Sequence, residues 1–303
     1  MHAKYCLGQK ASCLEISPDG STFLVGQDNG QLISLHMLNE TLIVSNACER
    51  HQSKITDIAF NPTADLIATC SNENKIELSS FKVDISKPGN RKMSMSMNDS
   101  VRALTFMEDL ANHSNILFSG VGCQICITDC SSGTTFRVLR GHRGVITSFC
   151  TWGGCMFASS SADRTIRLWD MRVSEAVRVF DPLRKPIATC VFHVDGTGRI
   201  LIRGDAGGVI HIFDTSSMKK ITTKRFSSQP ISCLRLAHTQ RLLAVADKDR
   251  IALCDLRDVM QIAEWPCVAK CSAKNTVLRW HPTNPSIATL DTQSSLNFWQ
   301  LQQ

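Results

Sequence analysis

The amino-acid sequence predicts an all-β protein, a seven-bladed β-propeller whose seventh blade is closed by the N-terminal strand. Three observations predict it. The pattern Thr165-Ile166-Arg167-Leu168-Trp169-Asp170 recurs, its first apolar position falling at Leu32, Ile76, Ile125, Ile166, Ile210, Ile251 and Leu296. These positions are separated by 44, 49, 41, 44, 41 and 45 residues, close to the roughly 40–45 residues of a four-stranded blade. The apolar runs are strand-sized, charge-bounded and separated by turn residues. Finally, the last repeat ends at the close of its third strand, Trp299-Gln300-Leu301, while a spare strand-like segment, Lys4-Tyr5-Cys6-Leu7, precedes the first repeat.

The elements follow in chain order. Residues 1–9 supply the closing strand, and the blades occupy about residues 10–45, 51–98, 99–140, 141–181, 186–225, 229–266 and 274–303. Each blade opens on a short apolar strand: Cys13-Leu14-Glu15-Ile16, Ile55 to Phe60, Val101 to Phe106, Val145 to Phe149, Ile187 to His193, Ile231 to Leu236, and Val277 to His281. Pro18-Asp19-Gly20, Asn61-Pro62, Asp195-Gly196 and His281-Pro282 then turn the chain, using residues that preset φ or tolerate a positive one. The second strands are small and apolar, as in Leu66-Ile67-Ala68-Thr69-Cys70 and Leu243-Ala244-Val245-Ala246, which suits converging inner strands. One insertion, Lys82 to Ser100, interrupts the rhythm. Its alternating Met93, Met95 and Met97 read as the outer strand of blade two, and Pro88 to Lys92 as a solvated basic turn.

At 303 residues the chain is long for one compact core, and a repeat architecture solves this by burying many small cores in series. No run of 18 or more apolar residues and no signal-peptide core is present, which places the expected location in the cytoplasm, with the nucleus as the alternative. The 14 cysteines agree with a reducing compartment, because Cys13, Cys70, Cys190 and Cys233 sit inside apolar strands where a thiol acts as a small hydrophobe. The grouping Cys123, Cys126 and Cys130 has no second Cys/His pair at metal-ligand spacing and is expected to be structural. Neither a metal nor a cofactor is implied.

Blade four carries the clearest chemistry. His142, a strand hydroxyl (Ser159 or Ser161), Asp163 and Trp169 can form a buried chain in which the imidazole bridges carboxylate and hydroxyl and the indole N–H ends the series. The expected role is a structural tether. No Walker A, dinucleotide-binding glycine run, HExxH or GxSxG pattern occurs, and no nucleophile is paired with a base at a known spacing, so the protein is not expected to be an enzyme.

Charge points to partners. Between Arg137 and Arg203 lie eleven Arg and Lys against five acids, a difference equal to the +6 of the whole chain. Blades four and five are therefore the basic sector. Arg143, Arg164, Arg184 and Lys185 are expected on the rim that holds His142, with Lys248 and Arg250 in the equivalent turn of blade six, and an acidic protein partner follows. No aromatic is interleaved with these residues, which disfavours nucleic acid.

The Gly141-His142 and Trp169-Asp170 pairs resemble the WD40 repeat family. Within it, Val101 to Glu108, Thr128-Asp129-Cys130, Thr151-Trp152, Ala158-Ser159, Arg167 to Val173 and Val177-Arg178-Val179 resemble the C-terminal WD domain of the nemitin family, neuronally enriched microtubule-associated proteins. That resemblance implies cytoskeletal association by propeller-mediated binding, for which the acidic tails of tubulin are a fitting partner. The family's helical dimerisation segments precede its propeller and are not in this sequence, so only propeller binding is carried over, and a monomer is expected. On the opposite rim, Trp169-Asp170-Met171-Arg172, and more weakly Asp255-Leu256-Arg257, resemble the WDxR box. Many WD-repeat receptors use that box to dock on the adaptor of cullin–RING ubiquitin ligases, and the resemblance implies a second possible partner.

Overall fold

The computed structural model describes residues 3–39, 41–81, 90–108, 115–151, 154–180, 182, 187–193, 200–217, 219–237, 242–247, 249–256, 267–271, 275–291 and 293–300. Every sheet among these residues is a small antiparallel one of four strands, and there are seven. Strand β1 (Ala3–Cys6) precedes blade one, β2–β5 (Ala11–Ile16, Thr22–Gln27, Gln31–Leu38, Thr41–Glu49). Blade two is β6–β9 (Ile55–Phe60, Leu66–Ser71, Lys75–Ser80, Arg91–Ser96) and blade three β10–β13 (Val101–Phe106, Ile116–Val121, Gln124–Asp129, Thr134–Leu139). Blade four is β14–β17 (Ile146–Thr151, Met156–Ser161, Ile166–Asp170, Ala176–Phe180), followed by blade five, β18–β21 (Ile187–His193, Ile200–Asp205, Val209–Asp214, Lys220–Arg225). Blade six is β22–β25 (Ile231–Leu236, Leu242–Asp247, Ile251–Asp255, Cys267–Cys271), and β26–β28 (Asn275–Trp280, Ser286–Asp291, Ser295–Gln300) begin blade seven.

The missing strand of blade seven is β1. It pairs antiparallel with β28, Ala3 opposite Phe298 and Cys6 opposite Ser295, so the spare N-terminal segment closes the ring as the sequence predicts. The innermost strands β2, β6, β10, β14, β18, β22 and β26 pack each against the next, and β26 returns to β2.

Each inner strand carries one extra residue near its start, such as Ser12 or Thr56, which bends the strand and increases its twist. That residue also ties blades together. Ser12 Oγ donates to the carbonyl of Ile55 at 2.6 Å, and Thr56 Oγ1 donates to that of Val101 at 2.6 Å.

The core is divided. The described residues form seven hydrophobic clusters, one at each blade–blade interface. Side chains of a strand alternate between faces, so β16 sends Trp169 toward blade three and Leu168 toward blade five. Met93, Met95 and Met97 pack into the blade two–three cluster, with Met93 and Met95 on β9. At the seam Phe23 meets Phe298 edge-on with ring centroids 5.6 Å apart, and His281 Nε2 donates to the carbonyl of Gly20 at 3.0 Å.

Candidate functional site

Strand β15 ends in three serines, all buried, and alternation sends Ser159 and Ser161 to one face and Ser160 to the other. Ser159 lies at the centre of a hydrogen-bonded chain. His142 Nδ1–H donates to Asp163 Oδ2 at 2.8 Å, Ser159 O–H donates to His142 Nε2 at 2.8 Å, and Trp169 Nε1–H donates to Ser159 Oγ at 2.8 Å. Ser161 stands outside the chain, donating to the carbonyl of Gly144 at 2.8 Å and accepting the Asp163 N–H at 3.1 Å. The second carboxylate oxygen of Asp163 is filled by the Thr165 hydroxyl at 2.7 Å and the Thr165 N–H at 2.9 Å.

Order alone makes this a Ser–His–Asp array. Its surroundings make it a tether. Ser159 is fully buried, and its oxygen already takes the indole N–H, which leaves no face for an incoming carbonyl. Burial lowers the His142 pKa more strongly than Asp163 raises it, so the imidazole is neutral. Burial pushes the Asp163 carboxyl upward, but the Arg143 N–H, Thr165 and His142 outweigh it and bring it down to about 2.

Two further blades hold parts of the same chain, and these the sequence pattern missed. In blade two His51 Nδ1–H donates to Glu73 at 2.7 Å and Thr69 O–H donates to His51 Nε2 at 2.9 Å, with Ser79 in place of the tryptophan. In blade seven only the far end is present among the described residues, Trp299 Nε1–H donating to Thr289 at 3.0 Å. The signal was spacing: His51 precedes Glu73 by 22 residues and His142 precedes Asp163 by 21.

The rim above this chain is basic. Arg143 and Arg164 are exposed; Arg164 follows Asp163 in the chain, and the Arg143 N–H reaches Asp163 Oδ2 at 3.0 Å. Arg164 has φ of 71°. It occupies the last turn position at which other blades place Gly30, Asn74, Gly208 and Ser294, all likewise in the left-handed region. Among the described residues no acid forms an ion pair with Arg137, Arg140, Arg143, Arg164, Arg167 or Arg178. Arg250 is engaged differently, its Nε 3.1 Å from Asp247, its Nη2 donating to the carbonyl of Phe226 and its guanidinium over the Phe226 ring. Arg184, Lys185 and Lys248 lie outside the described residues.

On the opposite rim Arg172 reaches back to Asp170 with two parallel bonds, Nε to Oδ1 at 2.9 Å and Nη2 to Oδ2 at 2.6 Å. Trp169 and Asp170 are buried, whereas the Arg172 side chain is 71% exposed. Asp255 is buried in the equivalent position of blade six, and Arg257 lies outside the described residues. The Cys123 group is spread out: Cys126 and Cys130 pack in the blade two–three core and Cys123 is exposed. Burial pushes the Cys130 thiol up to about 12, the reverse of what a thiolate metal ligand needs.

The channel wall holds a charge cluster that sequence reasoning did not single out. Arg279 of blade seven lies 2.8 Å from Glu15 of blade one and 3.9 Å from Asp57 of blade two. Burial, then the neighbouring Glu15 charge, lift Asp57 to about 6 against the pull of Arg279 and the Leu104 N–H, which donates to it at 2.8 Å.

Residues 43–78 and 133–170 match the family described as WD domain, G-beta repeat. These are the two stretches that contain His51 and His142. Similar curated proteins include the guanine nucleotide-binding protein subunit beta of Oryza sativa subsp. japonica, 23% identical over 68% of this chain and 55% of its own length. WD repeat-containing protein 18 of Rattus norvegicus is 26% identical over 59% of the chain and 44% of its own length. COMPASS component SWD3 of Saccharomyces cerevisiae is 24% identical over 77% and 72%. The chain spans about half the length of the first two. Together with the seven-bladed ring, these matches support the WD40 repeat family.

Proposed function

We propose that this WD40-type propeller is a non-enzymatic protein-interaction scaffold, associated with the cytoskeleton through microtubules, whose basic rim on blades four to six binds an acidic protein surface. The observation that carries this is Arg164. A non-glycine residue in the left-handed region costs about 1 kcal/mol, and here an exposed guanidinium with no ion pair among the described residues is presented where other blades place glycine, asparagine or serine. Beside it Arg143 is also exposed and unpaired. Two arginines at one corner are free for an acidic chain such as a tubulin tail, and the resemblance of residues 101–179 to the nemitin family favours that partner. Co-pelleting with microtubules tests it. The wild type should pellet at low salt and less at high salt, and the triple change Arg143→Glu, Arg164→Glu and Lys185→Glu should abolish it. Pelleting that ignores both salt and the triple change would sink the proposal.

One observation favours a second function on the other rim. Arg172 is exposed yet held in place by buried Asp170, the presentation a WDxR box would need to dock on a ubiquitin-ligase adaptor. Arg172→Ala should then remove the adaptor from pull-downs and leave microtubule pelleting unchanged. A wild type that captures no adaptor excludes this role.

A further inference from the structure

The outward edge of a propeller is its row of fourth strands, each of which pairs on one side only. Such an edge carries free backbone N–H and C=O groups and invites another strand unless charges or bulges guard it. Two blades are guarded in that way. Strand β21 presents Lys220, Lys224 and Arg225, and β9 starts with Arg91 and Lys92, and neither shows an exposed large apolar side chain among the described residues. Strand β17 is different. It pairs only with β16, and Val177 and Val179 are 42% and 45% exposed, with Val173 of the preceding turn 46% exposed.

Within β17 the one charged residue is Arg178, and the exposed Glu175 immediately precedes the strand. Arg178 is exposed and has no ion pair among the described residues. Val179 lies opposite Arg167, on the face turned to blade three. From blade three Arg137 faces the same gap, since it pairs with Ile127, whose side chain packs beside Trp169. A second copy of the chain is a poor occupant, because edge-to-edge pairing centred on Arg178 would set that residue against its own copy on a protein of net charge +6. Among the described residues, two other outer strands share part of this pattern: β5 exposes Ile43 without an arginine, and β13 exposes Phe136 and Val138 on either side of Arg137, but Arg137 is half-buried whereas Arg178 is exposed.

We infer that β17 is a docking edge for an extended segment of another protein in which acidic and aliphatic residues alternate, added to blade four as a fifth strand. Main-chain bonds would supply register, the exposed valines would take the aliphatic side chains, and Arg178, which shares its face with Leu168 and not with Val179, would take the acids. This edge lies on the circumference, and the inference goes beyond the rim proposal without depending on it.

The test uses the full chain and a fluorescein-labelled eight-residue peptide alternating Glu and Val, followed by anisotropy. Saturable binding is expected. The double change Val177→Ser and Val179→Ser, on exposed positions, should weaken it about tenfold or more. The same peptide N-methylated throughout should not bind, since it cannot extend a sheet. The rim change Arg143→Glu with Arg164→Glu should alter affinity by no more than about twofold. The inference is overturned by an absence of saturable binding, by a valine variant that binds as wild type, by an N-methylated peptide that still binds, or by loss of binding in the rim variant. That last result would show that the general field of the basic sector, and not the edge, holds the peptide.

Discussion

Replacing Ser159 with alanine tests the tether at its centre. The change removes one oxygen and strands two groups, the His142 Nε2 acceptor and the Trp169 N–H donor, each 2.8 Å from it now. Both lie in fully buried surroundings: the His142 side chain and Trp169 are each 0% exposed. A buried polar group left without a partner costs about 1–3 kcal/mol, so the pair is expected to cost roughly 2–4 kcal/mol once the removed hydroxyl's own desolvation is credited. For a chain of this size that corresponds to a Tm lower by about 4–8 °C. Urea unfolding followed by tryptophan fluorescence, together with calorimetry, reads both quantities. Trp169→Phe alone leaves Ser159 paired with His142 and should cost about 1–2 kcal/mol. The double variant should cost less than the sum of the two singles by about 1 kcal/mol, because the stranded donor is removed together with its acceptor. Ser161→Ala provides the comparison, since that hydroxyl lies outside the chain and its loss leaves His142 and Trp169 paired. The reasoning is refuted if Ser159→Ala costs under about 0.5 kcal/mol, if the cycle is additive, or if Ser161→Ala is the more damaging change.

Arg164→Gly should raise stability by about 0.5–1 kcal/mol by relieving the left-handed conformation while weakening microtubule pelleting, and a less stable variant would contradict the strain argument. Burial holds His51, His142, His211 and His281 below the ordinary imidazole pKa, so the unfolded chain takes up protons first and stability should fall as pH drops below about 6.5. Asp57, raised to about 6, acts in the opposite sense, favouring the fold as pH falls from about 6 to about 4, so urea midpoints at pH 7.5 and 5.5 are best compared in an Asp57→Asn background. A midpoint unchanged between those two pH values would refute the histidine argument. Arg279→Met strands two carboxylates and should cost about 3–5 kcal/mol, whereas Asp57→Asn should stay within about 1 kcal/mol of wild type at pH 7; equal losses would mean the cluster is not centred on the arginine. Removing residues 1–9 takes away β1, the buried Leu7 and the bonds to β28, and a loss of roughly 4 kcal/mol or more is expected, with an unchanged Tm refuting the closure.

What could be read in advance was whatever repeats. Seven strand quartets and the spare segment at Lys4 were legible because each blade restates the same pattern of apolar residues and turns. The chain in blade four was legible because all four residue types are present, and only the choice between Ser159 and Ser161 needed coordinates, since both share a face of β15. Glu73 and Thr69 escaped because each differs by one carbon from the residue sought, and because Ser79 stands where the tryptophan would be. The Glu15–Arg279–Asp57 cluster was invisible for another reason. Its members are 264 positions apart in the case of Glu15 and Arg279 and meet only because the ring closes. Nor does any local pattern announce that Arg164 holds a positive φ, since its neighbours also fit an ordinary turn.

The pairing of β1 with β28 also decides how the ring answers a pull between the start of β1 and the end of β28. Ala3 lies opposite Phe298 and Cys6 opposite Ser295, so the start of β1 and the end of β28 lie at the same corner of the sheet. A load applied between them acts across the ladder, not along it, and opens one backbone pair at a time instead of shearing the whole set together. The ring that resists heat through seven shared cores would therefore yield to tension at a single clasp, one strand long, and blade seven would open before any other blade feels the force.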